Sequence, residues 1–139
     1  MDAKRYGNKI LFRVDKGEEL VESIRKICVK FKIKMGYIAS GIGATDNALI
    51  GVYDMDKKIY HPSEIITFYE ITNLSGNIST MDNHPYFHFH ITLGNPVALA
   101  GHLNKAIISA TFEGVVEVID GLIDREKDSV TGLNLLKLD

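Results

Sequence analysis

The sequence predicts an α+β domain built on a predominantly antiparallel, curled sheet. Three features predict it: one amphipathic helical stripe near the start, a long series of β-branched and aromatic segments after it, and turn residues between those segments. Residues 6–14 read as a first strand, with Ile10, Phe12 and Val14 on one face. Asp15-Lys16-Gly17 is a turn, and residues 18–31 form the N-terminal amphipathic helix, with the apolar stripe Leu20, Ile24, Ile27, Cys28 and Phe31. Acids sit in its first turn and lysines in its last, as the helix dipole favours. Residues 37–42 and 47–53 are short apolar strands. Asp54-Met55-Asp56-Lys57 is a hairpin turn leading into residues 58–60. Strands follow at 64–71, on through Ile78, then at 84–93, 97–103, 107–111 and 115–119, and residues 132–138 add a last edge strand or pack loosely.

A chain of 139 residues, 45% of them hydrophobic, is one domain with a real core, spanning 1–139. No apolar run approaches the roughly 18 residues that cross a bilayer, and the first residues lack the apolar stretch of a signal peptide, so a cytoplasmic protein without a membrane partner is expected. A single cysteine excludes an internal disulfide and any multi-cysteine metal site, and the helical stripe makes Cys28 a buried, inert thiol. The net charge of −2 hides an asymmetry: residues 1–34 carry ten Lys/Arg against five Asp/Glu, the remainder six against thirteen. Arg25, Lys26, Lys30, Lys32 and Lys34 could meet phosphate, but without interleaved aromatics they read as a solvated face.

The chemistry concentrates in the histidines. In residues 84–93, alternation places Phe87, Phe89, Ile91 and Leu93 on one side of a strand and Tyr86, His88, His90 and Thr92 on the other. A third histidine, His102, follows on the next strand, where Ala98 and Ala100 share its face and leave space. Gly94-Asn95-Pro96 marks a tight hairpin between the two strands; a three-residue loop pairs Leu93 with Val97, His88 with His102 and His90 with Ala100. A bulge would instead flip His102 to the other face. Three neutral imidazoles with an open fourth position are the ligand set of a catalytic zinc, although iron, manganese, nickel and copper suit the same ligands.

Other candidates carry less. Glu113, in Thr111-Phe112-Glu113, faces the histidines if its strand neighbours residues 97–103, as a ligand, an orienting group or a proton carrier; otherwise it is an exposed carboxylate. Glu70 is a weaker candidate of the same kind, His84 an outer contact at best, and His61 a surface turn residue. Gly41-Ile42-Gly43-Ala44 has neither a dinucleotide fingerprint nor a nucleotide-loop ending, so it marks a bend or a close backbone approach, and Ser40 lacks a nucleophile elbow.

Ser40-Gly41-Ile42-Gly43-Ala44, Tyr69-Glu70 with residues 74–79, His88-Phe89-His90 with Leu93, Gly101-His102-Leu103 and Thr111-Phe112-Glu113 resemble, in order and spacing, the PPC (plants and prokaryotes conserved) domain. The resemblance covers nearly the whole chain. It implies an α+β fold with a central antiparallel sheet, a homotrimer and a stand-alone prokaryotic member. The fold is also similar to acetolactate decarboxylase, whose His-x-His pair and later histidine hold zinc, which implies His88, His90 and His102 as ligands here. The similarity to that enzyme is partial: its further glutamate and arginine functions are not assigned to positions here, and Arg5, Arg13, Arg25 and Arg125 all lie outside the matching motifs. Plant members carry AT-hook segments with an Arg-Gly-Arg-Pro core; this chain has none, and an acidic balance does not replace it. The expectation is therefore a homotrimer with a divalent metal, zinc by ligand type, that binds or acts on a small oxygen-bearing ligand. The rival is a DNA-associated or regulatory scaffold without catalysis.

Overall fold

Hairpins between consecutive strands supply most of the sheet, and the long-range pairings of β3 with β5 and β7 close it into a ring. The computed structural model describes residues 1–138. A hairpin of β1 (Asp2–Tyr6) and β2 (Lys9–Asp15) leads into α1 (Leu20–Phe31), followed by β3 (Gly36–Asp54), β4 (Ile59–Ile65), β5 (Tyr69–Met81), β6 (His84–Asn95) and β7 (Val97–Val118). The seven strands form one antiparallel sheet in the order β1-β2-β7-β6-β5-β3-β4, and β7 also pairs with β3. Strands β3, β5, β6 and β7 thereby make a closed barrel, with β1–β2 and β4 as extensions. A separate two-stranded ribbon, β8 (Arg125–Lys127) and β9 (Asn134–Leu136), follows. Among the described residues no helix is long and apolar enough to cross a membrane.

Several segments read as separate strands are continuous. The two expected strands at 37–42 and 47–53 are one strand, β3, and the three expected over 97–119 are one strand, β7. What resembled turns are bulges: the β3–β7 register shifts on both sides of Thr45. Its buried hydroxyl donates to the Ile107 carbonyl at 2.7 Å, satisfying a backbone group that the bulge leaves out of the ladder. Gly43 is a close backbone approach, since a Cβ there would lie 2.3 Å from the Thr111 oxygen. The strand expected at 6–14 is β2 from Lys9 onward, with Ile10, Phe12 and Val14 on its buried face; its first residues instead turn at Gly7, at φ +59°, out of the preceding β1.

The helix begins at Glu19, whose carboxylate accepts from Val21 and Glu22 and also from the Ala106 amide of β7 at 3.0 Å. One side chain thus caps the helix and pins it to the sheet. Its Leu20, Ile24, Ile27 and Cys28 are buried with Ile10, Phe12, Val14, Phe89, Ile91, Leu93, Phe112 and Val116 in one core. Each such side chain contributes on the order of 1.5–3 kcal/mol by leaving water. Burial pushes the Cys28 thiol up to about 12, so it stays protonated. Lys26, Lys30, Lys32 and Lys34 remain exposed, the solvated face that the sequence suggests.

Candidate metal centre

Phe89, Ile91 and Leu93 point into the barrel, so alternation turns His88 and His90 outward from the same strand. The β6–β7 hairpin is tighter than a three-residue loop: Asn95 pairs with Val97, with Pro96 alone at the apex. Proline has no N–H to satisfy in a ladder, and the Asn95 amide donates to the Phe68 carbonyl at 2.5 Å, holding the turn. The register is therefore displaced by two residues from the expected one. His90, not His88, lies opposite His102, and His88 pairs with Asn77 of β5. A displacement of two conserves the face, so the three rings still converge.

Their centroids are 5.2 Å (His88–His90), 5.3 Å (His88–His102) and 5.6 Å (His90–His102) apart. One ring nitrogen from each lies within 4.8 Å of the others, and the Nε2 atoms of His88 and His90 are 3.2 Å apart. Two nitrogens bound tetrahedrally to one zinc at about 2.0–2.1 Å stand roughly 3.3 Å apart, so the donor set fits such an ion. Two of the rings are also held uncharged near neutrality. Burial first, then the charges of His90 and Arg125, holds His88 below the usual imidazole value. The same burial, with His88, His90 and Arg125, pushes His102 down to about 4. A neutral imidazole keeps the lone pair that a metal needs.

Glycines make the convergence possible. Gly76 of β5, at φ +143°, lies where a Cβ would be 2.0 Å from the His88 carbonyl oxygen. Gly51 of β3, paired with His102, leaves room for the Tyr60 ring, which meets His102 edge-on at 6.0 Å. The rings open onto a cavity of about 730 Å³, walled by Val52, Met55, Tyr60, Leu133 and Leu135 among others.

One site residue escapes a reading of motifs. Arg125 lines the cavity from β8, 9% exposed, with its guanidinium carbon 4.7 Å from the centre of the Tyr86 ring. Tyr86 shares the histidine face of β6, which the alternation does show, whereas nothing local marks Arg125. Glu113 does not face the histidines. It follows His102 by eleven residues on the same extended strand, roughly 36 Å at 3.3 Å per residue, and lies exposed in another groove with Arg13 and Ile42. Glu70 is exposed opposite Ala44 and Gly94, and His61 is exposed near Asp54, 3.8 Å away. His84 pairs with Met81 at the far end of β6.

The sequence model of the Plants and Prokaryotes Conserved (PCC) domain matches residues 1–120. No functionally curated protein matches the chain. Among solved structures, a protein from Bacteroides thetaiotaomicron, provisionally described as DNA-binding, is 35% identical with a TM-score of 0.93, covering 98% of this chain and 96% of its own. A metal-containing protein from Archaeoglobus fulgidus is 36% identical (TM-score 0.86, 94% of each chain), and a plant- and prokaryote-conserved protein from Pyrococcus horikoshii 33% (TM-score 0.84, 98% and 93%).

Proposed function

Because the chain belongs to the Plants and Prokaryotes Conserved domain family and brings three imidazoles together beside a cavity, we propose that it is a homotrimeric metal-binding protein with one divalent ion, zinc by ligand chemistry, held by His88, His90 and His102. The observation that carries the reading is the approach of the three ring nitrogens to within 4.8 Å. The relative from Archaeoglobus fulgidus, described as metal-containing, supports it. Three protein ligands leave a coordination position for a small oxygen-bearing molecule, and a bound ion would supply Lewis acidity to that oxygen. The chain's own groups define the rest: depressed basicity keeps His88 and His102 neutral, and Tyr60 backs His102. Val52, Met55 and the ribbon residues Leu133 and Leu135 give the ligand an apolar wall.

Metal analysis of tag-free protein tests the reading, alongside the double variant His88→Ala/His90→Ala. About one ion per chain in the wild type and none in the variant is expected. Equal, near-zero metal in both sinks it.

A nucleic-acid role is the second reading, favoured by the name of the relative from Bacteroides thetaiotaomicron and by the exposed Lys30, Lys32 and Lys34. It requires salt-dependent duplex binding that weakens when those lysines are neutralised. No binding at low salt excludes it.

A further inference from the structure

The family match ends at residue 120, yet the cavity beside the histidines is completed by residues that come later: Arg125, Leu133, Asn134 and Leu135. They belong to the β8–β9 ribbon and the loop at its tip, which is tied down at both ends. The Thr80 amide and hydroxyl donate to the Ile123 carbonyl at 2.9 and 3.1 Å. At the other end the Tyr53 hydroxyl donates to the Thr131 carbonyl at 2.9 Å. The segment is a strap from β5 to β3 across the mouth of the site.

Arg125 is the unusual member of that strap. Its Nε donates to the Ser79 hydroxyl at 2.8 Å, Nη1 to the Asn134 carbonyl at 2.5 Å and Nη2 to the Asn77 side-chain oxygen at 2.6 Å. All three acceptors are neutral, and two of the five guanidinium N–H groups are left without one among the described residues. The acids nearby are engaged elsewhere: Asp124 with the Thr80 hydroxyl, Glu126 with Lys137 at 3.5 Å, Asp128 with Thr131. Among the described residues no Asp or Glu lines the cavity. A buried, permanently charged group without a counter-charge is costly unless an anion completes it.

We propose that this strap makes the three-histidine cavity a receptor for small organic carboxylates, with Arg125 taking the carboxylate and Val52, Met55, Leu133 and Leu135 taking a short apolar chain. The inference rests on reading the cavity as the ligand site of the metal centre. Two free N–H groups in one planar fork match the two oxygens of a carboxylate, and the polar partners already in place fix the fork's orientation.

Titration calorimetry with butanoate, its neutral amide butanamide and inorganic phosphate tests this on tag-free protein, both zinc-loaded and stripped with a chelator. Butanoate is expected to bind roughly tenfold or more tighter than butanamide in the stripped protein as well as the loaded one. Arg125→Gln should remove that preference without changing metal content. Equal binding of acid and amide, tighter binding of phosphate, or an Arg125→Gln protein that still prefers butanoate overturns the proposal. Should Arg125→Gln fail to fold, the acid-to-amide ratio of the wild type decides alone. The stripped protein separates the two readings: absence of metal from the wild type defeats the metal centre, whereas loss of acid preference defeats the carboxylate site.

Discussion

His90 and His102 stand directly opposite each other across the β6–β7 ladder, their rings nearly perpendicular at 87° and 5.6 Å between centroids. A directly opposed pair on one sheet face has its Cβ atoms about 4.5–5.5 Å apart, a spacing set by backbone pairing and therefore present before any ion arrives. The ligand set is preorganised: the hairpin that Pro96 closes pairs His90 with His102, and His88, two residues from His90 on the same strand face, already has its Nε2 3.2 Å from that of His90.

Metal should therefore stabilise the fold measurably. At free zinc a hundredfold above its dissociation constant, linkage gives about 2.7 kcal/mol, roughly 10 °C of melting temperature for a domain of this size. A chelator should lower the melting temperature of the wild type by that amount and leave His102→Ala unmoved. Differential scanning calorimetry reads both, and an equal response of the two proteins contradicts the site.

The metal-free protein should show a pH dependence of defined sign. His102 titrates at about 4 in the fold against an ordinary 6.5, and His88 is shifted in the same direction. Between those values the unfolded chain binds more protons than the folded one, so stability rises with pH from about 4 to 6.5 and gains nothing more from this source above. Melting temperatures of stripped protein across that window should climb, and His102→Gln should flatten the climb. A slope unchanged in His102→Gln would assign the dependence to other groups.

Gly76→Ala should damage fold and site together. The backbone at φ +143° disfavours any side chain, and the new methyl would meet the His88 carbonyl oxygen at 2.0 Å. Forcing β5 from β6 should cost at least about 2 kcal/mol and displace His88 from its partners. Denaturant unfolding and metal content should fall together; Gly17→Ala, where the added atom meets nothing within 4 Å, should lose only the stability due to its backbone strain at φ +87° and keep its metal.

Strand alternation made the histidine face of β6 legible, because period two survives any register that keeps parity. It could not supply the pairing itself, since that depended on how many residues Pro96 leaves at the apex. Bulges hid the continuity of β3 and β7: Thr45 replaces a ladder bond with its own hydroxyl, and a sequence of small and polar residues there looks like a turn. That continuity is also what decides between the two readings of Glu113 for the exposed carboxylate, since eleven residues farther along one strand it does not return beside His102. Arg125 was invisible for a different reason. Its role comes from Ser79, Asn77 and Asn134, which approach it from other strands and form no local pattern.

The groove that holds Glu113 yields the last prediction. Leu11 and Ile42 lie in it 48% and 57% exposed, bordered by Asp2, Lys4, Arg13 and Glu113. Apolar residues inside a charged rim are the make-up of an interface between copies, where the centre loses water and the rim sets register. If the proposed trimer uses this groove, Ile42→Glu places a charge where water is excluded and should dissociate it. Light scattering on the eluting protein should then give the single-chain mass of 15.5 kDa for the variant and a threefold multiple for the wild type. Because Ile42 lies outside the core, the variant should keep its circular dichroism spectrum. A trimer that survives Ile42→Glu must be built on another face.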